Sequence, residues 1–138
     1  MGSGAIAGSC FVAMSFDPAL TPAYDQGIFP ALDACGFHVI RLDRVEHNDN
    51  INDKIIADLR TSQLIVADFT QHKGGVYFEA GFGLGLGRPV IWTCRSDDFD
   101  HVHFDTKPYN HILWTSPVDL RDKLTARIRA TVPSAKLR

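Results

Sequence analysis

The sequence carries almost no excess of charge: 14 basic against 16 acidic residues in 138 leave a net charge of −2. That balance lacks the basic footprint with which proteins grip a phosphate backbone, so no nucleic-acid partner is expected. Cysteine is scarce. Cys10, Cys35 and Cys94 stand in apolar settings, an odd number without CxxC spacing. They read as buried reduced thiols rather than a disulfide framework or a zinc site. Long apolar runs are missing as well; none reaches the ~18 residues of a membrane span, so no membrane partner is expected. The opening MGSGAIAGS has no basic n-region, and Ile6 stands where a myristoylation pattern needs Ser or Thr. Cytoplasm is the default compartment. The glycine-rich stretch does not spell GxGxxG, because Arg88 stands where a third glycine would fall. No dinucleotide fingerprint is present, and no cofactor is expected.

What is there is ordinary for a globular chain: 45% hydrophobic and 22% charged residues, enough for one domain with one core. Residues 1–9 read as a flexible N-terminus, 10–133 as a single domain and 134–138 as a tail. Cys10 to Ser15 is a short apolar strand. Thr21 caps a helix with Pro22 at its first position; it runs to about Cys35, with a kink or break expected at Pro30 and a stop at Gly36. Phe37 to Leu42 is a second strand. A helix capped by Asn50 or Asn52 follows, with Ile51, Ile55, Ile56 and Leu59 on one face. Leu64 to Phe69 and Pro89 to Cys94 are apolar strands fit for a sheet covered on both faces. Between them a helix spans roughly Val76 to Gly87. After a long loop, Arg95 to Asn110, come a strand at His111 to Trp114 and a helix opened by Ser116 or Asp119. The alternation predicts an α/β fold: a flavodoxin-like three-layer α/β/α sandwich on a five-stranded parallel sheet, order 2-1-3-4-5.

The glycines at 81, 83, 85 and 87 pair four apart on shared helix faces. Each interior one costs about 1 kcal/mol against Ala, so close backbone approach is the expected reason for them. Asp68 ends a strand and Glu79 opens the next helix, placing both at the carboxyl edge where open α/β sheets bind ligands. Strand order brings Met14, Ser15 and Phe16 beside Asp68, Phe69 and Thr70, with Arg44 and Arg95 ending the flanking strands. Two acids, two cations, hydroxyls and aromatics suit a sugar bearing an aromatic base. One carboxylate can attack an anomeric carbon; another can hold a ribose hydroxyl or protonate the leaving base. Plainer roles compete: Glu79 favours a helix N-terminus electrostatically, and Asp68 can cap a turn. His101 and His103 lie near Asp98, Asp100 and Asp105, but a third firm ligand is missing, so no metal is expected.

FVAMSF, then IVADFT, then GGVYFEAGFGLGLGRPVI resembles the nucleoside 2-deoxyribosyltransferase-like superfamily, over about residues 10–94. The resemblance implies N-glycosidic bond cleavage or transfer on a (deoxy)ribonucleoside or nucleoside 5'-monophosphate. It implies Glu79 as the nucleophile of a glycosyl-enzyme intermediate and Asp68 as the acid that engages ribose or base. It places Ser15 and Phe16 against base or sugar. Met14, Arg44, Thr70, Gly75, Tyr77 and Arg95 complete the expected substrate-binding set. It further implies a homodimer or higher homo-oligomer. The superfamily also resembles TIR domains, so an NAD glycohydrolase using Glu79 is an alternative, with Arg44 or Arg95 on the pyrophosphate. A non-catalytic nucleotide-sensing module is a third. A receiver domain is disfavoured: strand one ends in Ala13-Met14-Ser15, without acids for Mg²⁺.

Overall fold

A computed structural model describes residues 6–42, 51–102 and 109–132. Five strands form one wholly parallel sheet: β1 (Ile6–Ala13), β2 (His38–Ile40), β3 (Ser62–Asp68), β4 (Val90–Arg95) and β5 (His111–Trp114), in the order β2-β1-β3-β4-β5. The helices are α1 (Thr21–Ala23), α2 (Phe29–Ala34), α3 (Ile51–Thr61), α4 (Gly74–Gly85) and α5 (Pro117–Thr131). The expected class and strand order are therefore the ones observed.

Residue parity sorts the core. Along β3, Leu64 and Val66 turn to one face and join Val12, Ile91 and Trp114 beneath α2 and α5. Ile65, Ala67 and Phe69 turn to the other and join Phe11, Trp92 and Cys94 beneath α3 and α4. Both faces are covered, which is why these strands read as unbroken apolar runs. Burial pushes the Cys10 thiol far above its ordinary range and that of Cys94 up to about 12. Both behave as core atoms rather than nucleophiles.

Several boundaries differ from expectation. β1 begins at Ile6, inside the stretch expected to be flexible, because pairing with β3 reaches back to Ser62. It ends at Ala13, so Met14 and Ser15 lie just past the strand. Pro30 produces neither break nor stop. Residues 24–28 widen into a π turn in which the Phe29 N–H donates to the Tyr24 carbonyl. Pro30 has no N–H to give to residue 26, and the wider turn absorbs that gap without ending the helix. Gly36 does end it: its φ is +87°, and the Phe37 N–H donates to the Leu32 carbonyl at 2.9 Å. Ser116, rather than Asp119, caps α5, accepting the Asp119 N–H at 3.1 Å. The long loop after β4 opens with a 3-10 helix at Ser96–His101.

The α4 glycines do different jobs. A Cβ on Gly83 would sit 1.9 Å from Ile65 Cδ1, so this glycine lets the helix lie on β3. Gly87, at φ +78°, closes the helix, with the Arg88 N–H on the Gly83 carbonyl at 3.1 Å. Gly81 and Gly85 are exposed, and a Cβ on either would meet nothing within 4 Å. Close approach thus explains Gly83 and not the outward pair.

Candidate active site

Between β1 and β3, where the strand order reverses, the two following loops are tied together. The Ser15 hydroxyl donates to Gln71 Oε1 at 2.8 Å and accepts the Asp17 N–H at 3.1 Å. Gln71 Nε2 donates to Asp17 Oδ2 at 2.9 Å. The Ala19 N–H and then Gln71 hold Asp17 below the usual carboxylate range. Arg41, just past β2, donates to the Ser15 carbonyl at 3.2 Å and lies 4.4 Å from the ring centres of both Phe16 and Tyr24. It is a cation that sequence reasoning passed over. The expected Arg44 falls outside the described residues.

Gln71 and His72 both adopt positive φ, 73° and 55°, an uncommon pair for residues with side chains. The turn aims the Gln71 N–H at Asp98 Oδ2, 2.7 Å away, and sets His72 Nε2 3.2 Å from the same oxygen. His72 Nδ1 meets the Tyr77 hydroxyl at 3.2 Å, and the Tyr77 ring lies against Phe69 at 4.6 Å. Burial works to raise Asp98, but the Gln71 N–H, His72 and His101 outweigh it and hold it low.

Asp68 is fully buried. Its Oδ1 accepts the Thr70 N–H at 3.0 Å; its Oδ2 accepts the Thr93 hydroxyl at 2.5 Å and the Trp114 indole N–H at 2.8 Å. Burial raises its pKa, and these donors only partly offset that. By parity Asp68 belongs with Leu64 and Val66, on the α5 face. α4, which carries Glu79, packs on the other. Asp68 is thus sealed off from solvent and turned toward Trp114 rather than toward α4. Strand alternation is the reason: Phe69, not Asp68, turns toward α4.

Glu79 is 3% exposed and lies on the inward side of α4 with Val76, Ala80 and Gly83. That is a rare setting for a carboxylate. Among the expected binding residues, Met14 is buried in the core and Ser15 is spent in the loop bridge. Phe16 is half-buried under Arg41. Thr70 is buried and accepts the Arg95 N–H at 3.0 Å; the Arg95 side chain pairs with Asp97 at 2.6 Å. Gly75 lies in the first turn of α4. A cleft of about 590 Å³ lies elsewhere, between β5 and α5, lined by Ile112, Leu113, Lys123 and Arg127. None of the expected site residues lines it.

A doubly covered parallel sheet in this order, with one reversal point between β1 and β3, defines a flavodoxin-like α/β/α fold. Among solved structures, a 2-desoxiribosyltransferase from Leishmania mexicana is similar over 90% of this chain and 98% of its own, with a TM-score of 0.62 and 17% identity. At that identity the likeness is one of fold, and it is the fold that the sequence resemblance implies. No family model and no curated protein sequence matches the chain.

Proposed function

We propose that this protein cleaves or transfers the N-glycosidic bond of a (deoxy)ribonucleoside or its 5'-monophosphate. The Glu79 carboxylate attacks C1', a C–O bond forms as the C–N bond breaks, and the base leaves as its anion and takes a proton from water. Water or a second base then attacks C1' and frees Glu79. The observation that carries this reading is the burial of Glu79 on the inner side of α4, in the second turn of that helix. The FVAMSF, IVADFT and VYFEAG motifs and the deoxyribosyltransferase-like fold support it. Asp68 enters as a positioning residue: its bonds to Thr70, Thr93 and Trp114 hold β3, β4 and β5 in register beneath the site. The homodimer implied by the resemblance belongs to this reading, and light scattering on the purified chain reads it directly; a monomer would remove it.

The test is a panel of nucleosides, mononucleotides and NAD, scored for free base by chromatography. Glu79→Gln should lower base release on the order of 10³-fold, about 4 kcal/mol of barrier. Undiminished release would overturn the assignment. Nicotinamide from NAD would move the substrate to the TIR-like alternative. One observation favours a non-catalytic nucleotide module instead: the Asp68 carboxylate is buried against Thr93 and Trp114, away from any leaving base it would have to protonate. Tight nucleotide binding without turnover would select it.

A further inference from the structure

The proposed reaction leaves His72, Asp98 and His101 without a role. His72 follows β3, while Asp98 and His101 sit in the 3-10 helix after β4. Pairing of β3 with β4 brings the three together at the carboxyl edge. One ligand atom from each lies within 4.8 Å of the others. His72 Nε2 is 3.2 Å from Asp98 Oδ2, and His101 Nδ1 is 3.4 Å from Asp98 Oδ1. Bonds of about 2.0–2.1 Å in a tetrahedron set donor atoms roughly 3.3 Å apart; the two histidines meet different oxygens of Asp98, so binding draws the exposed His101 ring inward from the observed 4.8 Å limit.

We propose that His72, Asp98 and His101 bind one divalent transition cation of the zinc class. Two imidazoles and one carboxylate are the donor set such ions prefer over Mg²⁺ or Ca²⁺, which take oxygen. Three protein ligands leave a fourth position open to water or to an oxygen of a bound molecule. The supporting groups are in place. The Gln71 N–H fixes Asp98 Oδ2, and the Tyr77 hydroxyl meets the far nitrogen of His72. A cation on Nε2 would replace its 3.1 Å contact with the Asp98 carbonyl, and Nδ1 would then carry the proton and donate to the Tyr77 oxygen, which orients the ring. The paired left-handed residues at 71 and 72 are what aim the ring and the Asp98-holding N–H at one point. Sequence reasoning had His101 and Asp98 but no third firm ligand; the β3–α4 loop supplies it. The site does not depend on the role of Glu79.

The test uses the tag-free full chain, stripped with a chelator and titrated with Zn²⁺ by calorimetry and with Co²⁺ by visible spectroscopy. One equivalent should bind, and Co²⁺ should give the intense visible bands of a four-coordinate ion without thiolate charge transfer. His101 is 73% exposed, so His101→Ala keeps the fold and should weaken binding at least about tenfold. Tyr77→Phe should weaken it about tenfold while keeping the Co²⁺ spectrum. No stoichiometric binding, equal binding by His101→Ala, or a thiolate band would each overturn the proposal.

Discussion

Asp68 illustrates how much one buried carboxylate holds. Three donors from three places converge on it, and Asp68→Ala leaves the Thr70 N–H, the Thr93 hydroxyl and the Trp114 indole unpaired in the core. At about 1–3 kcal/mol for each orphaned donor, the loss should reach at least 3 kcal/mol in urea denaturation. A cost under 1 kcal/mol would show that this network is not structural. His111 is a second buried titratable group. Its Nδ1–H donates to the Tyr109 carbonyl at 2.7 Å, while Nε2 is buried without a partner. Burial lowers its pKa, with the Tyr109 carbonyl and Asp68 partly opposing. The unfolded chain therefore takes this proton first. Stability from neutral His111 is complete above the unfolded value of about 6.5 and is lost as pH falls below it. Urea midpoints measured between about pH 7.5 and 5.5 should drop, and His111→Phe should shrink the drop. An unchanged pH slope in that variant would refute the assignment.

At the scale of elements, α4 separates glycines that look alike in sequence. Gly83→Ala drives a methyl into Ile65 Cδ1, so Ile65 must change rotamer or the helix must lift. A loss of about 1–3 kcal/mol is expected, recovered in part by Ile65→Val. Gly81→Ala and Gly85→Ala meet open space and should stabilise the helix by about 0.5–1 kcal/mol each. Thermal midpoints of the three variants check this, and equal signs at all three sites would sink it. The outward face of α4 also exposes Phe78 and Leu84, with Phe78 resting 6.0 Å from Phe82. The first helix carries a comparable device that sequence reasoning missed. A Cβ on Gly27 would lie 2.9 Å from the Pro117 carbonyl, so the π turn packs closely against the start of α5.

For the whole molecule, right-handed crossovers with one reversal point determined the sheet order, and apolar runs and glycine stops marked out the elements. They did so because burial on both faces writes itself into local composition. The place of Glu79 was only partly legible: α4 begins at Gly74, so Glu79 falls in its second turn rather than opening it. Relations across the sheet were not legible. Leu64, Val66 and Asp68 share a parity, but both faces of β3 are apolar, so the sequence could not say which face receives α4. Only the packed structure decided that Asp68 turns toward Trp114, 46 positions away. The meeting of His72 with Asp98, across 26 positions, likewise exists only once β3 and β4 are neighbours. Local patterning specifies elements. Which side chains then share a cavity or a cation depends on strand neighbours and register, which are properties of the folded whole.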